Sequence, residues 1–197
     1  MGELFAIIGF ALGIILSQKI GVSYSKFIQV EEAAVRIYGS LSSLKLIMDK
    51  VRPGLGKEAI KNWVKVFLEL LEDSKAQNYR LISANKELYD AVSELEQMPG
   101  EMATMYTNIC QDADLCLSKK VRLTPKAYDT LLQQATILYL LLTAMFIPGF
   151  TGLISVLVAS YILYGMYHLT EDIDSILGGD YNLVQIDISE LKYLAKN

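Results

Sequence analysis

The sequence predicts an all-α membrane protein with three transmembrane helices, one N-terminal and two in a C-terminal hairpin, and a cytoplasmic helical bundle between them. Three observations carry this. The 197 residues are 52% hydrophobic with a mean hydropathy of +0.31, too apolar for a soluble domain of this size unless the excess is concentrated. It is concentrated: Glu3 is the only charge before Lys19, and Leu131 to His168 holds no Asp, Glu, Lys or Arg. Elsewhere apolar residues recur at steps of three and four, the spacing of one helical face, and no stretch reads as a strand.

About 20 apolar residues cross a bilayer core. Residues 3–22 supply the first span. Leu4 to Leu16 has no basic leader and no small-x-small cleavage site, and Gln18-Lys19 follows directly, so an uncleaved anchor is expected. Residues 131–169 supply two more, because Pro148 lacks an N–H and Gly149 tolerates turn dihedrals, so the pair punctuates the run as a tight hairpin.

Orientation follows from the flanking cations. Lys19, Lys26 and Arg36 follow the first span, Lys119, Lys120, Arg122 and Lys126 precede the second, and the hairpin turn has none. A multi-pass protein of the cell membrane is expected, with the N-terminus and the Pro148-Gly149 turn outside. Residues 23–130 and the tail, 170–197, are then cytoplasmic. Cys110 and Cys116 both fall in that reducing compartment, so no disulfide is implied.

Within 23–130, Phe27, Val30, Ala34, Ile37, Leu41, Leu44 and Met48 continue the first helix on one face until Arg52-Pro53-Gly54-Leu55-Gly56 stops it. Lys57 to Tyr79 is amphipathic through Ile60, Trp63, Val64, Phe67, Leu70 and Leu71, with Lys61, Lys65, Glu69, Glu72 and Asp73 set for i,i+4 pairs, and runs on through Leu81, Leu88, Val92 and Leu95. After Pro99-Gly100, Met105, Ile109, Ala113 and Leu117 mark another helix. Thr124-Pro125 reads as an N-cap with Pro at the first helical position, opening the helix that enters the second span.

Enzyme signatures are missing, with no Gly-rich phosphate loop, no paired histidines and no nucleophile beside a base, and the apolar runs of the spans, Leu4 to Gln18 and Leu131 to Tyr167, carry no Asp, Glu, Lys, Arg or His of the kind that marks intramembrane function. The net charge of −4 with both signs interspersed excludes a nucleic-acid footprint. His168 sits among Tyr161, Tyr164 and Tyr167, the amphipathic rings that anchor a helix at the headgroups. Glu171, Asp172, Asp174 and Asp180, beside Gly178-Gly179, form a carboxylate cluster that could hold calcium, though not at EF-hand spacing; a solvated helix end is the plainer reading, and no other cofactor is expected.

Gly9 and Gly13 form a Gly-x-x-x-Gly pair that lets helix backbones approach in lipid. Packing against the C-terminal hairpin is the simpler use of it. The alternative is a ring of identical first spans with Ala6, Phe10 and Ile14 turned to a central axis as a hydrophobic constriction that gates by dewetting.

Two stretches bear on that choice. Phe10-Ala11-Leu12-Gly13, Lys19, Tyr24, Phe27 and Glu31 or Glu32 follow one another at one end of the chain. At the other come Leu138 to Leu142, Ile147-Pro148, Leu163-Tyr164-Gly165-Met166-Tyr167 and the acidic Glu171 to Asp174 with Gly178-Gly179-Asp180. In order and separation they resemble the bestrophin family of pentameric ion channels and its bacterial relatives, or a bacterial membrane-protein group of similar layout, over about half the chain. Lys26-Phe27 stands where the family has paired Trp, and Ser175-Ile176 where its acidic segment has Pro-Phe.

The resemblance implies a homo-oligomer, a pentamer, that conducts inorganic ions through the bilayer. The first spans would surround the axis, Ala6, Phe10 and Ile14 would form the constriction, Lys19 would stand at the pore exit, and cytoplasmic helices would form a vestibule. The other expectation, of a different class, is a non-conducting membrane scaffold whose helical region binds a cytoplasmic or membrane partner.

Overall fold

No proline occurs from Gly2 to Val51, and isolated glycines are tolerated inside an otherwise periodic helix. In the computed structural model this whole stretch is one helix, α1 (Gly2–Val51). The structure describes residues 2–72, 79–94, 100–121, 126–174 and 186–196, without the side chains of 2–5, 120, 121, 126–128 and 174. Among them α1 is followed by α2 (Lys57–Glu72), α3 (Tyr79–Ser93), α4 (Gly100–Val121), α5 (Lys126–Phe146), α6 (Gly149–Asp174) and α7 (Ser189–Lys196), with no strand.

Three of these helices are long and apolar enough to cross a membrane, in the stretches Ala6–Val51, Asp129–Phe146 and Gly149–Ile173. This is a membrane protein. At 1.5 Å per residue α1 is about 75 Å long, more than twice the ~30 Å hydrocarbon core, so only part of it can lie in lipid.

The chain divides into two compact units, Met1–Phe27 with Leu123–Ser175, and Ile28–Arg122 with Ile176–Asn197. In the first, Leu12 and Leu16 of α1 are buried with Leu132 of α5, and Ile15, Tyr139, Leu163 and Met166 close around them. Helix α5 packs along α6. Between them the Ile147 N–H still reaches the Thr143 carbonyl at 3.1 Å. Gly149 then takes a φ of 78°, where a side chain would be strained. Gly152 faces the same turn so closely that a Cβ there would stand 1.7 Å from the Ile147 carbonyl oxygen.

The second unit is a bundle in which α2 packs against α3, α4 and α7. Its interior holds Ile37, Leu41, Leu44 and Met48 of α1, Trp63 and Phe67 of α2, Leu88, Met102, Ile109 and Leu191, all fully buried. The turn after α1 is made by Gly54 and Gly56 at φ 81° and 71°, with the Gly54 N–H donated to the Asp49 carboxylate at 3.0 Å.

Two expectations for this region change. The helix expected to run from Lys57 through Leu95 is instead an antiparallel pair. Trp63 Nε1 donates to Asn85 Oδ1 at 2.6 Å, and Arg80 pairs with Glu69 at 2.6 Å, contacts that a straight helix would hold about 33 Å and about 16 Å apart. No Gly or Pro occurs between Asp73 and Asn78 to announce the bend, and those residues lie outside the described ones. The charges of α2 also reach other helices: besides Glu69, Glu72 pairs with Lys192 of α7 at 3.5 Å and Lys61 donates to the Lys196 carbonyl at 3.3 Å. The tail likewise carries α7, opened by the Asp187 carboxylate accepting the Ser189 N–H at 2.9 Å.

Candidate functional site

On α1 within the first unit, Leu12, Leu16, Lys19, Ser23 and Lys26 are buried. Their steps of four and three trace one face of a helix. The opposite side, Ala6, Phe10, Gly13, Ile14, Ser17 and Gly21, is exposed. Phe10 is 72% exposed, and Lys19, half a turn away after nine residues, is 5% exposed. Ala6, Phe10 and Ile14 thus share one open stripe that no part of the unit covers.

The open stripe differs in kind from the outer face of α6. There Phe150, Leu153, Leu157, Val158 and Tyr161 are exposed, a continuous apolar surface suited to lipid tails. On α1 the open stripe mixes Phe10 and Ile14 with Gly13, Ser17 and Gly21, the small and hydroxylic residues that favour helix contacts or water over lipid.

The two glycines separate. A Cβ on Gly9 would lie 3.0 Å from Cε2 of Tyr139, whereas nothing stands within 4 Å of one on Gly13. Gly9 therefore seats α1 on α5, and Gly13 lies on the open side.

Lys19 is not on the open stripe. Its ammonium meets Asp129 Oδ1 of α5 at 2.5 Å and sits 4.9 Å from the centre of the Tyr167 ring of α6. The Tyr167 hydroxyl accepts from Gln133 Nε2 at 3.0 Å, and the Thr170 hydroxyl turns back onto the Tyr167 carbonyl at 2.7 Å. A lone ammonium among leucines would be costly, and a carboxylate with an aromatic face is the surrounding that offsets that cost. Sequence reasoning missed Asp129, although the signal is present: it is the one acid between Asp114 and Glu171.

Of the carboxylates expected as calcium ligands, Glu171 stands 3.6 Å from His168 Nδ1, and His168 packs edge-on to Tyr164, with centroids 4.3 Å apart. Asp172 has a partner of its own, while the Asp174 side chain and Asp180 lie outside the described residues. Among the described residues no group of three or more His, Cys, Asp or Glu could hold a metal ion.

In the second unit Arg36 holds Asp112 of α4 in a fork, Nη2 to Oδ1 at 2.8 Å and Nε to Oδ2 at 3.1 Å. The pair borders a cavity of about 450 Å³ also lined by Gly39, Ser40, Asn108 and Gln111. Cys116 is buried, its thiol directed at the Val30 carbonyl at 3.9 Å. Burial pushes that thiol up to about 12. The half-buried Cys110 is raised as well, again chiefly by burial, so neither thiol is set up as a nucleophile.

No protein-family model matches the sequence, and no curated protein matches it. Solved structures do share its fold. Variants of a bacterial bestrophin homologue from Klebsiella pneumoniae superpose with TM-scores of 0.77, 0.79 and 0.82. In each case 98% of this chain and 85% of the other is covered, at 15–16% identity. At that identity the likeness is one of fold.

Proposed function

We propose that the chain is the subunit of a homo-oligomeric ion channel in which first spans surround the axis and Ala6, Phe10 and Ile14 form a hydrophobic constriction. The observation that carries this reading is the open stripe of α1. Its mixture of Phe10 and Ile14 with Gly13, Ser17 and Gly21 is a poor lipid face and a good pore wall, narrow and apolar at Phe10 and wettable beyond it. Identical subunits joined head to tail in a closed ring turn such a stripe away from lipid and toward the common axis. The pentamer is taken from the bestrophin fold, and the inside location of residues 23–130 from the flanking cations. Inorganic ions are the substrate, the bilayer is the first partner and further copies of the chain are the second.

Ion flux from liposomes reconstituted with purified protein tests the reading, with oligomer mass taken on the same preparation. Phe10→Ala widens the constriction and raises basal conductance. Phe10→Leu keeps an apolar side chain of similar reach and changes little. A conducting oligomer indifferent to Phe10→Ala sinks the constriction, and a monomer or dimer without flux sinks the channel.

A second reading has one observation in its favour. Val35, Leu46 and Ile82 of the second unit are more than 60% exposed, and a non-conducting scaffold that binds a partner would use such side chains. The same mass and flux measurements separate the two.

A further inference from the structure

We propose that the recess between α1 and α4 in the second unit binds a small oxyanion, a carboxylate or a phosphate, on the free edge of the Arg36 guanidinium. Such a site is independent of the channel reading and is present whether or not the chain conducts.

Two polar faces meet at this recess. Arg36, Gly39 and Ser40 stand at i, i+3 and i+4 on α1, and Asn108, Gln111 and Asp112 stand at the same steps on α4. Residues at that spacing usually close a bundle with apolar side chains, as the neighbouring Ile37, Leu41, Ile109 and Ala113 do here, all fully buried. The recess between the polar faces, about 450 Å³, is within the size range of small-molecule sites. Gly39 keeps it open on the α1 side, since an added Cβ there would meet nothing within 4 Å. Most ligand pockets are lined by apolar and aromatic side chains. This one has neither among the described residues, so it suits a hydrophilic ligand.

The charges narrow the ligand further. Asp112 takes up Nε and one N–H of Nη2 of Arg36, which neutralises the carboxylate and fixes the direction of the guanidinium. The other edge, Nη1 with the second N–H of Nη2, is left. Glu32 Oε2 stops 3.8 Å short of Nη1, beyond hydrogen-bond reach. Ser40, Asn108 and Gln111 contribute a hydroxyl and two carboxamides, and these side chains make no hydrogen bond among the described residues. The recess thus presents a positioned cationic edge and three neutral donors, and an oxygen-rich anion uses them together. A planar guanidinium matches carboxylate and phosphate oxygens two at a time. A metal cation would meet that guanidinium at the one carboxylate of the lining. Glu32, exposed on the rim, competes for the same edge and repels the ligand.

The experiment is isothermal titration calorimetry of the full chain in detergent, with succinate, inorganic phosphate and glucose as probes. Succinate or phosphate binds saturably, with an affinity that falls as salt is added, and glucose does not bind. Binding by succinate assigns a carboxylate head, and binding by phosphate a phosphate head. Arg36→Lys keeps the charge but loses the planar edge, and weakens the anion by on the order of tenfold. Gly39→Leu fills the recess from a backbone position with room for it, and abolishes binding with the melting temperature unchanged. Glu32→Gln removes the competitor and tightens binding several-fold. Should either of the first two variants fail to fold, Glu32→Gln still moves the affinity in the direction that only an anion site gives.

No saturable binding of either anion overturns the inference, and so does binding of glucose in their place. Anion binding that survives both Arg36→Lys and Gly39→Leu overturns it too, because the anion then sits elsewhere. None of these results depends on current, so the channel reading stands or falls separately.

Discussion

The Tyr139 ring of α5 touches the backbone of α1 at Gly9: a Cβ built there would lie 3.0 Å from Cε2 and 3.4 Å from the hydroxyl oxygen. A methyl at Gly9 asks the ring to give by a few tenths of an ångström, and the higher helix propensity of Ala offsets that cost by up to ~1 kcal/mol. Leucine has no room. Gly9→Leu should therefore cost about 1–3 kcal/mol by overpacking, read as a lower melting temperature in detergent. Gly13→Ala should leave the melting temperature of the protomer unchanged or slightly raised. Equal losses at both positions would contradict the placement of Gly13 on the open side.

Gly152 is the stricter case, because its neighbour is backbone. With 1.7 Å between a Cβ and the Ile147 carbonyl oxygen, Gly152→Ala cannot be absorbed by a side chain turning away, and the hairpin must shift. A loss of about 2–3 kcal/mol is expected. Gly149→Ala, at φ 78° with open space around it, costs about 1–2 kcal/mol from backbone conformation alone. Thermal unfolding of the two variants should rank them in that order.

Trp63, the only tryptophan, stacks on Phe67 with centroids 5.2 Å apart and gives its N–H to Asn85. Asn85→Ala leaves a buried donor unsatisfied and should destabilise the bundle by about 1–3 kcal/mol. Trp63→Phe, which removes the donor, should cost less in hydrogen bonding and more in lost contact. Denaturant titration followed by helical signal checks both, and tryptophan fluorescence follows the first.

Cys116 gives a pH dependence of known sign. Its folded value, about 12, lies above the ordinary 9.0 of the thiol because burial disfavours the thiolate. Stability from this group is complete below pH 9 and is lost as pH rises toward 12, since only the unfolded chain releases the proton readily there. Chemical denaturation between pH 8 and pH 11 should show the fall, and Cys116→Ala should flatten it. At pH 8 a thiol reagent should reach Cys116 only after unfolding.

The apolar runs made the three membrane helices legible, because a bilayer demands length and composition that little else explains. The stops were legible too where Pro and Gly carry them, at Arg52 to Gly56 and at Pro148-Gly149. The reversal after Glu72 was not, since nothing between Asp73 and Asn78 breaks a helix locally and the fold-back is dictated by long-range burial of Trp63, Leu88 and Met102. The same holds at the candidate site. Period four set Ala6, Phe10 and Ile14 on one stripe, but proximity to a span end could not tell that Lys19 turns inward. That depended on Asp129, 110 residues away.

A shaft lined only with leucines can slip by one turn at little loss, since each leucine finds another's seat. The belt Lys19, Ser23 and Lys26 interrupts the leucines of α1, and only one axial setting brings Lys19 to Asp129. Moving the helix by one turn would drop an ammonium into the socket of Leu16 and leave a carboxylate bare. A single polar position is known to fix register in helical assemblies in this way. The ion pair thus keys α1 to α5 against sliding along its own axis.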